Sequence, residues 1–191
     1  MKKKLFYIAL IVICLSILSS STFAYFTTSG VVHGVITSGQ INVAIVEQQL
    51  VDGELKPYPE ETIPVMPGTT VSKIVSAQST EHPAWIRMNY TLTVLDAAGE
   101  EMNVTPEELS NVIAVDAPGA GWTYADGWWY YEDAVGGSET TEPLFTKVIF
   151  SGPYMDNKYQ NSTLLIDVAV QAVQQVHNGE SVADAQGWPE N

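Results

Sequence analysis

Apolar and polar residues alternate along several stretches of the chain, and this period of two predicts β-strands. The clearest stretch runs from Trp85 to Leu95. One face of that strand carries Ile86, Met88, Tyr90, Leu92 and Val94, and the other face carries Arg87, Asn89, Thr91 and Thr93. We therefore expect one face in a hydrophobic core and the other mostly in solvent.

Four other stretches are predicted strands: residues 40–47, which also alternate, 71–78, 144–151 and 163–174. The last is the longest of the four, and its apolar face carries Leu164, Ile166, Val168, Val170 and Ala172. Asp167 and Gln171 lie on the opposite face. We expect this stretch to be the final strand of the fold.

Turn and helix signals lie between the strands. Asp52-Gly53 predicts a tight turn, and Pro57 and Pro59 predict that a loop follows it. Thr105 is suited to cap a helix that has Pro106 at its first position. That helix must be short, because residues 112–115 return to mostly β-branched types.

About eight strands, one short helix and no regular alternation of the two predict an all-β fold with antiparallel sheets. Two sheets must pack together to bury their apolar faces, so we predict a β-sandwich over residues 39–177. Residues 178–191 form a polar C-terminal tail, with a candidate short helix at residues 182–185.

The N-terminus has the features of a secretory signal peptide. Lys2, Lys3 and Lys4 precede an apolar run of 14 residues, and small residues follow it. The run is shorter than the ~20 residues that span a bilayer. We predict cleavage between Ala24 and Tyr25, with an uncleaved N-terminal anchor as the alternative, and a chain secreted to the extracellular matrix or cell surface.

The charge excludes one class of partner. Removal of residues 1–24 leaves 167 residues, enough for one domain with a core. Three lysines leave with the signal peptide, so the net charge goes from −14 to −17. Such a chain repels nucleic acids and anionic lipids, so we expect no nucleic-acid partner and membrane contact only through the signal peptide before cleavage. The acidic residues favour solubility, although they could also recruit divalent cations or basic polymers.

No motif predicts catalysis. The only cysteine, Cys14, lies in the signal peptide, so the mature chain has neither a disulfide nor a thiolate site. His33, His82 and His177 lie far apart along the chain, without a metal-ligand spacing. No nucleophile elbow and no phosphate-binding loop occurs. We predict a protein that is not an enzyme and has no catalytic residue, metal or cofactor.

An aromatic hairpin is the most distinctive motif. Asp126-Gly127 suits a two-residue turn, and six large aromatic residues flank it: Trp122, Tyr124, Trp128, Trp129, Tyr130 and Tyr131. Alternation sends roughly half of them to each face. They either fill the core and stabilise the hairpin or form a candidate interaction surface for sugars or proteins.

A series of segments follows in order along the chain: residues 23–30, residues 36–45, Met66–Val75, Ala84–Met88, Asp126–Tyr131, Thr141–Phe145, Val168–Gln174 and a tryptophan near the end, Trp188. In this order they resemble the TasA/camelysin family of Gram-positive exported biofilm matrix proteins. The resemblance implies a jelly-roll sandwich and export through a dedicated ER-type, SipW-dependent signal peptidase. It also implies head-to-tail self-polymerisation into fibres, with or without an accessory matrix protein.

In such fibres, the freed N-terminal segment of one subunit adds a strand to the next subunit. On this hypothesis residues 25–38 are the donor strand, and its anchors are Phe26, Val31, Val32, Val35 and Ile36. Main-chain hydrogen bonds to an open sheet edge would hold it there. Two alternatives remain open: a camelysin-like secreted metal-dependent protease, and a monomeric cell-surface binding module that uses the aromatic hairpin.

Overall fold

A computed structural model describes residues 42–80 and 82–189. Nine strands, one α-helix and one 3-10 turn are assigned within that part of the chain. They are β1 (Val43–Val51), β2 (Glu54–Pro57), β3 (Thr70–Ser79), β4 (Ala84–Leu95), α1 (Pro106–Val112), β5 (Ile113–Val115), β6 (Trp122–Ala125), β7 (Trp128–Tyr131), β8 (Phe145–Phe150), the 3-10 turn (Asn157–Tyr159) and β9 (Thr163–Gln174).

The strands form two antiparallel sheets. Sheet I has the order β2-β1-β3-β8-β5, and sheet II has the order β6-β7-β4-β9. In sheet II, β4 and β9 pair along their whole length, from Ala84 opposite Gln174 to Leu95 opposite Thr163. In sheet I, β2 pairs with only the second half of β1, from Gln48 to Val51.

The inner faces of the two sheets share one core. Its buried members in the strands are Val43, Val75, Ala77, Ala84, Ile86, Met88, Trp122, Phe145, Val168, Val170 and Ala172. Tyr90 of sheet II and Phe145 of sheet I meet edge to face, with ring centroids 5.4 Å apart. A large apolar side chain buried in this way stabilises the fold by about 1.5–3 kcal/mol. The architecture is therefore an all-β sandwich with one short helix.

A second cluster closes one end of the sandwich around α1. Thr105 caps α1 through a hydrogen bond from the Glu108 amide to its hydroxyl oxygen, at 3.2 Å. The Glu108 carboxylate accepts hydrogen bonds from Lys158 Nζ at 2.6 Å and from Tyr159 Oη at 2.8 Å. Burial and the adjacent Glu108 raise the pKa of Tyr159 to about 12. These contacts fasten the helix to the 3-10 turn.

Asp116 binds β8 opposite an irregularity in β3. The register between β3 and β8 shifts between Ser72 and Val75. Beside this shift, Asp116 Oδ1 accepts hydrogen bonds from the Thr146 and Lys147 amides, at 2.8 and 2.9 Å. Its Oδ2 accepts from the Thr146 hydroxyl at 2.6 Å. Burial by itself raises the pKa of Asp116, but these hydrogen bonds outweigh it, so the pKa lies below its ordinary value of 3.8.

Several sequence-based predictions are confirmed. The strand predicted at residues 163–174 is β9, and the strand predicted from Trp85 is β4. The helix begins at Pro106 with Thr105 as its cap. Asp52 and Gly53 turn at φ values of 55° and 83°. These features were predictable because each depends on the local sequence.

Three predictions are wrong in detail. The loop predicted after Gly53 begins with a strand, β2, whose last residue is Pro57. Proline is tolerated there because β2 is an edge strand, where a missing amide donor breaks no ladder. Residues 181–185 form two hydrogen-bonded turns instead of a short helix. The outer face of β4 is covered at its start, where Trp85 is only 4% exposed.

We predict that Asp116→Ala lowers the free energy of unfolding by about 1–2 kcal/mol at neutral pH, because it leaves two amides of β8 without their acceptor. Because the pKa of Asp116 is depressed, this contribution is present above the ordinary carboxyl pKa and is lost as the pH falls through the folded-state value. Urea denaturation at a series of pH values measures the effect, with the exposed loop residue Asp133→Ala as control. Equal losses in the two variants would contradict this role.

Candidate functional site

The aromatic hairpin predicted from the sequence is present as β6 and β7. The two strands pair from Trp122 opposite Tyr131 to Ala125 opposite Trp128. Asp126 and Gly127 form the turn, with φ values of 49° and 82°. Positive φ at both positions matches the right-handed twist of the strands. The hairpin extends sheet II through the contact of β7 with β4.

Four of the six aromatic residues lie on the inner side of the hairpin. Trp122 contacts Tyr131, and Tyr124 contacts Trp129, each with ring centroids 5.0 Å apart. Trp122 is 9% exposed, and its indole N–H donates to the Glu142 carbonyl at 2.9 Å. Tyr124 is 58% exposed. Of the six residues of the candidate interaction surface, Tyr124 alone is classed as exposed, and the other five are buried or half-buried.

The remaining two aromatic residues, Trp128 and Tyr130, lie on the outer face of sheet II around Arg87. The guanidinium carbon of Arg87 is 4.5 Å from the ring centroid of Trp128 and 4.7 Å from that of Trp188. Trp188 also meets Tyr130 edge to face, with centroids 5.7 Å apart. The guanidinium of Arg87 thus lies over two indole rings, whose faces attract a cation electrostatically. We call Arg87, Trp128, Tyr130 and Trp188 the arginine cage.

Neutral acceptors satisfy the donors of Arg87. Its Nε and Nη2 donate to Gln171 Oε1 at 2.8 and 2.5 Å, and its Nη1 donates to Tyr130 Oη at 3.0 Å. Nη2 also donates to the carbonyl oxygen of Pro189 at 3.2 Å. Within residues 42–80 and 82–189, the ion pairs all involve lysines. The charge of Arg87 is therefore stabilised there by ring faces and neutral oxygens.

Residues 178–189, which we call the C-terminal strap, pack against this outer face. The indole N–H of Trp85 donates to the Asn178 carbonyl at 2.9 Å. The Asn178 side chain makes two hydrogen bonds to the backbone of Gln186, at 3.0 and 2.9 Å, and so closes the strap into a loop. Val182 and Ala185 are buried in a cluster with Trp85 and Val173. The strap thus provides a third layer outside sheet II.

Sequence reasoning missed the arginine cage. The sequence pattern places Gln171 and Arg87 on the polar faces of their strands and Trp188 in a polar tail. The usable signal was the apolar content of that tail, Val182, Ala185 and Trp188. The spacing of those residues matches no strand or helix period, so only the tertiary structure shows what they cover.

β9 is an edge strand of sheet II. Among the described residues it pairs with β4 alone. Val170 and Ala172 are at most 1% exposed, whereas Leu164 and Ile166, at the other end of the same inner face, are only half-buried. Ile45 of β1 is also half-buried and packs against the same core. The core is therefore incompletely covered beside the first half of β9.

The predicted cleavage site and donor strand lie outside the described residues. This holds for Ala24, Tyr25 and the anchors Phe26, Val31, Val32, Val35 and Ile36, and also for His33. Both His82 and His177 are exposed. Across residues 42–80 and 82–189, no group of three or more His, Cys, Asp or Glu side chains is placed to hold a metal ion. Over the same residues, no helix is long and apolar enough to cross a membrane.

Trp122 is buried and Tyr124 is mostly exposed, so we predict losses of stability of very different size when each is removed. We expect Trp122→Ala to cost about 3–5 kcal/mol of unfolding free energy, because it opens a cavity and removes the hydrogen bond to Glu142. Tyr124→Ala should cost less than about 1 kcal/mol, because most of its ring is already in water. Guanidinium denaturation followed by circular dichroism measures both. A large loss for Tyr124→Ala would mean that this ring is more deeply packed than its exposure indicates.

No model of a known protein family matches the chain, and searches of curated proteins and of solved structures found no match.

Proposed function

We propose that the chain is a secreted structural protein of the extracellular or biofilm matrix. In this proposal its jelly-roll-like sandwich polymerises by N-terminal strand donation once signal peptidase has removed residues 1–24. The TasA/camelysin type of exported protein is the family to which this proposal assigns it. The observation that carries the proposal is the edge of β9, which has a strand on one side only among the described residues.

The geometry of β9 defines what an added strand would meet. The amide of Gln175 donates to the carbonyl of Pro83 at 3.0 Å, so residues 175, 173 and 171 direct their backbone groups toward β4. Ala172, Val170 and every second residue before them direct their backbone N–H and C=O groups toward the other edge, where no described strand pairs with β9. Their side chains lie on the core face. A strand added at this edge would therefore gain main-chain hydrogen bonds and also cover the half-buried residues of that face.

Length and composition make residues 25–38 a suitable donor. β9 has 12 residues, so its edge is about 40 Å long. The candidate donor has 14 residues, enough to run along all of it. The donor contains no Asp, Glu, Lys or Arg, although the whole chain has 22 acidic residues. It can therefore approach another acidic subunit without adding repulsion of its own.

A donor at the N-terminus and an acceptor at β9 make a heterologous contact. Each subunit that accepts a strand still has its own strand to donate, so the contact generates a filament unless the rotation closes it into a ring. Before cleavage, the signal peptide would occupy the N-terminal end of the donor. Assembly would thus be coupled to export.

We predict that the mature chain, residues 25–191, forms filaments and that the double variant Val35→Asp and Ile36→Asp stays monomeric. A carboxylate at an anchor position would be buried without a partner, which costs several kcal/mol. Electron microscopy and size-exclusion chromatography measure the outcome. Thr28→Asp with Ser29→Asp, which adds the same charge away from the anchors, is the control and should leave filaments intact.

A truncated chain, residues 39–191, is the complementary sample and should remain a folded monomer. Monomers of the full mature chain over a wide range of concentration, salt and pH would contradict self-polymerisation. Filaments of the truncated chain would show that contacts other than the donor strand hold the subunits together.

Salt should promote assembly. Each mature subunit carries a net charge of −17, so subunits repel one another over the Debye length. That length shortens from about 30 Å at 0.01 M salt to about 10 Å at 0.1 M. We therefore expect the critical concentration for filament formation to fall between these two conditions, as measured by sedimentation. A critical concentration that rises with salt would show that attraction between charged groups drives assembly.

A further inference from the structure

We infer that the C-terminal strap braces β9 for strand acceptance, and that Arg87 and Trp188 are the residues that latch the strap in place. The inference rests on the proposed function, because it assigns to the strap a role in assembly at the edge of β9. Arg87 and Trp188 would be positioning residues. They contact the outer face of sheet II, whereas the donor would meet its edge and inner face.

Arg87 is the only arginine in the sequence, and its chemistry suits a latch. The planar guanidinium lies over the indole of Trp128 in β7 and over that of Trp188 in the strap. The same guanidinium donates to Gln171 of β9 and to the Pro189 carbonyl of the strap. One side chain of β4 therefore joins three elements. Lysine would keep the charge but lose the planar fork and the stacking surface.

The strap also contacts β9 through apolar packing. Val173 is 3% exposed and lies in one cluster with Val182 and Ala185 of the strap. Gln171 is 6% exposed, and its side chain accepts the two hydrogen bonds from Arg87. Both residues belong to the second half of β9. The outer face of this edge strand is thus fixed by the strap and by the arginine cage.

Along β9, residues that contact the strap alternate with residues that face the core. Val173 and Gln171 face the strap, while Ala172 and Val170, between and beside them, face the core and turn their backbone groups to the open edge. An edge strand with a partner on one side only opens more readily than a central strand. Loss of the strap would therefore increase the fluctuations of β9 and lower its affinity for a donor, without removing any donor contact.

The test compares Trp188→Ala and Arg87→Lys with the unmodified mature chain and with Tyr154→Ala, an aromatic truncation at a side chain that is 61% exposed. Hydrogen exchange of dilute, unassembled protein reports on β9 and on the strap, with β3 as the internal reference. Sedimentation of the same samples gives the critical concentration. We expect exchange in β9 and the strap to become about tenfold faster and the critical concentration to rise about tenfold. Tyr154→Ala should change neither.

The possible results test the bracing of β9, its link to assembly and the proposed function separately. Faster exchange confined to the strap, with β9 unchanged, overturns the bracing role. Faster exchange in β9 with an unchanged critical concentration overturns the link between the strap and assembly, while the proposed function stands. Absence of filaments from the unmodified chain refutes the proposed function, and the exchange of β9 alone then decides the bracing. If Trp188→Ala fails to fold, Arg87→Lys, which removes less volume, decides the same comparison.

Discussion

The pairing of β4 with β9 is the contact on which the rest of the described structure depends. Twelve residues of each strand face one another without a shift in register, from Ala84 and Gln174 to Leu95 and Thr163. A slip of one residue would turn every core side chain of a strand to the other face, so this register is strongly specified by burial. On its inner face the pair provides about half of the core, and on its outer face it contacts the C-terminal strap through Trp85, Arg87 and Val173.

Sheet I is less regular and is held by specific polar contacts. The Asp116 carboxylate accepts hydrogen bonds from two amides of β8, opposite the register shift in β3. Lys73 is 6% exposed and pairs with Glu47 at 2.7 Å, with its ammonium 3.8 Å from the ring centroid of Tyr58. A buried lysine is tolerated when it has such partners, because an unpaired one would lose its hydration without compensation. Tyr58, the residue after β2, is thereby attached to sheet I.

Five cations lie within residues 42–80 and 82–189, and three of them join separate elements. Lys158 joins the 3-10 turn to α1, Lys73 joins β3 to β1, and Arg87 joins β4 to β9 and to the strap. Acidic residues dominate the remaining charge and face solvent for the most part. These cations therefore act in contacts within the molecule, while the net charge of −14 repels other copies of the chain. In the proposed assembly, residues 25–38 suit contact between subunits because they contain no Asp, Glu, Lys or Arg.

The strands, turns and helix cap that depend on near neighbours were predictable from the sequence. The alternation from Trp85 to Leu95, the Asp-Gly turns at 52–53 and 126–127 and the Thr105 cap each correspond to the observed feature, because backbone pairing and turn geometry depend on near neighbours. The aromatic hairpin was predictable for the same reason, but the burial of Trp128 was not.

What covers each face of sheet II depends on tertiary contacts between distant parts of the chain. Arg87, Gln171 and Trp188 lie far apart in the sequence, and no period joins them. Arg87 and Gln171 are cross-strand partners in β4 and β9, and Trp188 reaches them because the chain returns after β9 and lays residues 178–189 across the outer face. The same holds for the edge of β9 that has no partner strand among the described residues, since strand order depends on contacts between distant segments, whereas local propensity specifies only that a strand forms.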